Sequence, residues 1–375
     1  MDGKTMTKTR LAMVLLVAGG VVAAASVGCG GAPSEQPKVE EPPKVAEQPP
    51  PAGETLTSGD FNMTLPLGLQ AGAAYIPEKN PLSQAKIELG RKLYFDTRLS
   101  KDNTVSCATC HAPDQGFSDG KKTSTGIAGQ VGGRNAPTVM NRLFSQEQFW
   151  DGRAEDLEAQ ALGPVQNPIE MGHTLEAMIS TLKGISMYAP DFEKAFGTPE
   201  ITADRVGMAI ASYERTVITG NAPYDRYQAG DKTAMGESAV RGMEIFNDKN
   251  RGNCVTCHAG FNFTDESYHN LGLGMDKPKP DLGRFEVTKK DFDRGAFKTP
   301  TLRNITQSGP YLHDGSEATL MDVVNFYDKG GVPNKWLSQE IKPLHLSDQD
   351  KADLLAFMEA LTGELQGTEK PLLPQ

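Results

Sequence analysis

Cys107-Ala108-Thr109-Cys110-His111 and Cys254-Val255-Thr256-Cys257-His258 repeat one spacing of two thiols with a histidine directly behind them. Two thiols so placed reach the two vinyl groups of one haem, and the adjacent imidazole then meets the iron as its proximal ligand. The repeat therefore predicts two covalently bound c-type haems, one on Cys107, Cys110 and His111 and one on Cys254, Cys257 and His258. Zinc is a first alternative, but structural zinc sites usually keep their cysteine pairs much closer, and zinc gives no reason for a histidine after each pair. A thioredoxin-like dithiol is a second, and it leaves both histidines without a purpose.

Outward from these motifs, each CxxCH follows a similar stretch, residues 85–95 before the first and 239–246 before the second. Apolar residues recur there at helical spacing, with Gly90 and Gly242 in the middle permitting close approach of another helix. Further amphipathic stretches lie at 175–182, 203–217, 320–327 and 349–361, while strand-like alternation is scarce. The expected fold is all-α with little sheet. It comprises two cytochrome c-like domains, 60–225 and 226–375, each carrying one covalent haem. Between Pro113 and Gly133 the chain is polar and rich in Gly, Ser and Asp, which predicts a long functional loop.

The remaining composition agrees. A chain of 375 residues is long enough for two ordinary domains. A net charge of -10 argues against nucleic acid as a partner and for attraction to a small basic electron carrier. Lys4, Lys8 and Arg10, the apolar run 11–25 and Ser26-Val27-Gly28-Cys29 read as an export signal of the lipoprotein type over residues 1–29. Ser26 stands where such signals usually carry Leu, so a plain cleaved signal and an uncleaved anchor are the alternatives. All three place the mature domains outside the cytoplasm. The expectation is a periplasmic protein that touches the membrane only through a lipid on Cys29 or an N-terminal anchor. Residues 30–59, with Pro49-Pro50-Pro51, read as a flexible tether.

Five further blocks stand in order around the two motifs: Gly133-Arg134-Asn135-Ala136-Pro137-Thr138, Phe149-Trp150-Asp151-Gly152-Arg153, Gln166-Asn167-Pro168-Ile169-Glu170-Met171, Thr299-Pro300-Thr301-Leu302-Arg303-Asn304 and Pro310-Tyr311-Leu312-His313-Asp314-Gly315. On these residues the chain, from about Pro81 to Thr362, resembles the bacterial di-haem cytochrome c peroxidase family, including its MauG-like members. The resemblance implies roles residue by residue. Glu170 matches a distal glutamate that moves a proton between the oxygens of peroxide at an open iron, and Gln160 a glutamine sharing its pocket. A carboxylate beside a buried haem is expected to titrate high, although a loop carboxylate making one hydrogen bond is the plainer alternative. Family members that need prior reduction carry a distal histidine in a Ser-x-Gly-His stretch. Here Ser124-Thr125-Gly126-Ile127 stands in its place, so the first haem is expected to be five-coordinate when oxidised and active without reduction.

Tyr327 lies fourteen residues after His313, where ordinary peroxidases have methionine and MauG-like proteins tyrosine as the second haem's distal ligand. Met321 and Met275 are thioether alternatives, and a core tyrosine on the apolar face with Leu320, Val323 and Val324 is the plainer alternative. A phenolate stabilises ferric and higher iron states, whereas methionine raises the potential. Trp150 matches a tryptophan between the haems that relays electrons, with a core aromatic as the alternative. Asn135, Ser308 and Pro310 match the ligands of a calcium ion between the domains. The implied function is reduction of hydrogen peroxide to water with electrons from a small c-type cytochrome or cupredoxin, in a chain that commonly forms homodimers. A MauG-like high-valent oxidase modifying a partner protein is the second reading, and a non-catalytic di-haem carrier the third. Glu170, Gln160 and the missing distal histidine speak against the carrier.

Overall fold

Ser83 starts the first long helix: its hydroxyl accepts a hydrogen bond from Lys86 N at 3.3 Å, and Gln84–Phe95 follows. This helix packs along Ala203–Glu214, and a Cβ at Gly90 would collide with the Ala209 carbonyl. The second half repeats the device. Glu237–Asn247 packs along Asp348–Glu359, and Gly242 meets the Asp353 carbonyl in the same way. Both glycines of the sequence repeat are thus contact points at which two helix backbones touch.

The computed structural model describes residues 53–374. The export signal, Cys29 and residues 30–52 of the tether lie outside the described residues. The helices Leu157–Gln166, Leu175–Lys183 and Tyr188–Phe196 complete the first lobe, whose core gathers Leu89, Leu93, Phe117, Val165 and Ile210. Leu320–Asp328 joins the second, where Phe246 and Phe357 meet edge-on with centroids 5.1 Å apart. Among the described residues the chain is mostly helical, and the sheets there are three antiparallel pairs: Thr55–Ser58 with Phe61–Thr64, Thr219–Gly220 with Glu364–Leu365, and Tyr268–Asn270 with Ala296–Lys298. Among the described residues no helix is long and apolar enough to cross a bilayer.

Three details differ from the sequence reading. Folded chain begins at Thr55 rather than after Gly59, because Leu56 is buried and the two-residue loop Gly59-Asp60, with Gly59 at φ 58°, closes a hairpin. The helix expected to reach Val217 ends at Glu214, where the β-branched Thr216, Val217 and Ile218 lead into a strand. Leu157–Gln166 and Tyr188–Phe196 were not foreseen; Gly163 and Pro164 hide the periodicity of the first of them.

Two buried ion pairs fasten the elements. Arg215 is fully buried and binds Glu158 at 2.7 and 3.0 Å. Arg303 in the second lobe grips Asp225 of the connecting helix Pro223–Gln228 at 2.8 and 2.9 Å, and donates also to Phe261 O and Gly68 O. The described residues form one compact unit.

Candidate active site

The one-turn helix Cys107–Cys110 is capped by Ser106 and Thr109 and leads straight into His111. His111 Nδ1 lies 3.2 Å from Phe117 O, and His258 Nδ1 lies 2.9 Å from Phe263 O. A carbonyl only accepts, so Nδ1 carries the proton in both rings and Nε2 keeps its lone pair. Burial lowers both imidazoles' pKa and keeps them in this neutral, ligating form.

Each motif borders a cavity, of about 380 Å³ at His111 and about 200 Å³ at His258. Packed interiors hold few voids larger than a water molecule, so these are places for a bulky group rather than packing faults. Two thiols and one imidazole lone pair at each suit a covalently held haem.

Glu170 and Gln160 both face the first cavity. Gln160 projects from Leu157–Gln166, and Asn167 at the end of that helix turns the chain so that Glu170 N donates to Asn167 O at 3.0 Å. Asn167 Nδ2 donates to Glu170 Oε1 at 2.8 Å, while Oε2 has no hydrogen-bond partner among the described residues. Burial raises the Glu170 carboxyl above the ordinary range, against the opposing pull of Arg153 and of the Asn167 hydrogen bond. Among the described residues His111 is the only histidine bordering this cavity. Met171 also borders it, packed in the apolar core. Ile127 lies outside it: its side chain presses on Gly172 in the same core while its backbone N donates to Glu170 O at 2.8 Å.

Tyr327 borders the second cavity together with Leu320, Val323 and Val324, so the apolar face singled out in the sequence is turned toward His258. Neither Met321 nor Met275 borders that cavity. Burial holds the Tyr327 phenol well above its usual value. His313 stacks on Phe297 with centroids 3.5 Å apart, and His269 Nε2 is bonded to Asp265 at 2.8 Å. Trp150 borders both cavities and donates from Nε1 to Asn135 O at 2.9 Å. Its own carbonyl accepts from Lys298 N at 2.8 Å, so it is pinned to both lobes.

The family model for di-haem cytochrome c peroxidase matches residues 84–233. The methylamine utilization protein MauG of Methylophilus methylotrophus is 40% identical over 301 residues, 80% of this chain and 89% of that protein. The chain belongs to the di-haem cytochrome c peroxidase family. The cytochrome c551 peroxidase of Pseudomonas aeruginosa is 38% identical over 321 residues, 81% of this chain and 89% of that one. Among solved structures, a MauG-like protein associated with microbial copper homeostasis superposes with a TM-score of 0.77 at 31% identity, over 83% of this chain and 99% of that chain. Two haems come with membership of the di-haem peroxidase family.

Several groups of this di-haem peroxidase went unread in the sequence as site residues. Arg153 stacks on the Phe149 ring 3.5 Å from its centroid, at the rim of the first cavity. Arg134 bridges Asp151 at 2.6 Å and Asp281 at 2.7 Å, tying the two lobes beside the same cavity. Both arginines stand in the quoted family blocks, where their charge was a usable signal. Arg142 and Glu214 also border the cavity, and no motif marked either one. Asn135, Ser308 and Pro310 come together at the second cavity, where Asn135 Nδ2 donates to Lys121 O at 2.9 Å.

Proposed function

We propose that this chain reduces hydrogen peroxide to water in the first cavity, with electrons delivered one at a time by a small c-type cytochrome or cupredoxin. The observation that carries the reading is a half-buried carboxyl, Glu170, with Gln160 beside it, facing a cavity whose one histidine is the proximal ligand. When bound, the haem supplies the iron that takes peroxide and the electrons that split it. Glu170 Oε2 receives the proton of one peroxide oxygen and returns it to the other, while Asn167 holds Oε1 and fixes the carboxyl plane. Its raised pKa makes the ionised carboxylate a better acceptor for that first proton near neutrality. The test is steady-state consumption of peroxide with a reduced cytochrome as the only electron source.

Ile127 supports a first haem that is open before any reduction. Electron paramagnetic resonance of the oxidised protein is then expected to give one high-spin and one low-spin signal; two low-spin signals with no peroxide reaction would overturn this. Tyr327 at the second cavity favours a second reading, a MauG-like oxidation of side chains on a partner protein. Loss of peroxide only when such a partner is present would favour it over the peroxidase.

Trp150, in the wall common to both cavities, relays electrons between the haems. Trp150→Phe should slow their exchange while costing about 1 kcal/mol of stability for the lost hydrogen bond to Asn135 O; an unchanged exchange rate removes the role. Asn135 with the carbonyls of Ser308 and Pro310 forms the calcium site, an oxygen set suited to a hard cation. The export signal read in residues 1–29 supports a periplasmic protein tethered through a lipid on Cys29.

A further inference from the structure

Glu214 closes the helix Ala203–Glu214, is 4% exposed and borders the first cavity. Among the described residues its carboxyl makes no hydrogen bond, and burial, the largest influence on it, pushes its pKa up to about 8. Arg215 and Arg142 pull the other way, and Glu158 adds to the rise. The other titratable groups around it are engaged. Arg215 is held by Glu158, Tyr94 donates to His111 O at 2.9 Å and Tyr213 to Gly367 O at 2.8 Å. Cys107 is used by the haem thioether. Arg142 donates from Nε to Thr138 O at 3.2 Å and otherwise borders the same cavity.

An unpartnered acid in this position has one variable neighbour, the charge at the centre of the cavity. Putting an electron into a low-dielectric site is costly unless a positive charge accompanies it. We propose that Glu214 is the proton partner of the first haem: its carboxyl gains a proton when the iron at His111 gains an electron, and releases it when that electron leaves. The electron comes from the donor protein and the proton from solvent, through a cavity whose rim includes the exposed Gly133 and Arg153. Glu214 touches no substrate and acts through charge alone. The inference rests on the first haem sitting at His111 and not on which oxidant or substrate is turned over.

Spectroelectrochemical titration of the purified di-haem protein between about pH 6 and about pH 10 tests it. The midpoint potential of the first haem is expected to fall by as much as about 59 mV for each tenfold drop in proton concentration, one proton per electron. The second haem should stay flat. Glu214→Gln should abolish the slope at the first haem and leave the second untouched, whereas Glu170→Gln should keep it. A flat first-haem potential in the native protein, or an unchanged slope in Glu214→Gln, would overturn the proposal. Should that variant fail to take up haem, Glu214→Asp keeps the acid but moves it, and an unshifted pH window would overturn the proposal equally. Peroxide turnover enters none of these readouts, so a failed peroxidase reading remains distinguishable.

Discussion

Glu170→Gln is expected to lower kcat/KM for peroxide by about 10²–10⁴-fold, the usual contribution of a positioned proton-transfer group. The amide matches the carboxyl in shape and sits on a half-exposed turn, so folding and haem content should hold. What it loses is the capacity of Oε2 to accept a proton, while Asn167 still reaches Oε1. The pH profile gives a second readout. Burial raises the Glu170 carboxyl above the ordinary glutamate range. Since the ionised form takes the first proton, the native rate should rise with pH along an acid limb lying above that range. The variant should lack this limb. An undiminished rate with the limb intact would assign the proton transfer to another group.

Asp225→Ala is expected to cost about 3–5 kcal/mol of stability, because it strands a buried arginine without its counter-charge. Arg303 and Asp225 are 1% and 2% exposed, and the guanidinium also holds carbonyls of Phe261 and Gly68. The pair therefore joins the connector helix, the second lobe and the N-terminal hairpin region. Urea denaturation with haem absorbance and far-ultraviolet dichroism followed together would measure it. Replacing both partners with apolar residues of similar volume should recover most of the loss, since the penalty belongs to the unpaired charge. A loss under about 1 kcal/mol in Asp225→Ala would mean that water reaches Arg303.

The electron donor has to approach a protein of net charge -10. Its association should weaken as salt rises, in line with screening over about 10 Å at 0.1 M ionic strength.

Sequence alone determined whatever depends on neighbours a few residues apart. The capacity of Cys107–Cys110 and its twin to take a haem requires only two thiols and an imidazole within five positions, a reach set by covalent geometry. The glycines facing helix backbones, Gly90 and Gly242, were legible for the same reason, as breaks in a helical period. Even Tyr327, Val323 and Val324 were read as one face, although nothing local says which way such a face turns. Tertiary structure alone decided that this face looks onto His258, that no methionine of the two rivals does so, and that Trp150 stands in a wall between two cavities. It also brought Arg142 and Glu214, 72 residues apart in the chain, to one void. Their meeting follows from how helices pack over long stretches of chain, and no spacing rule along the sequence encodes that distance.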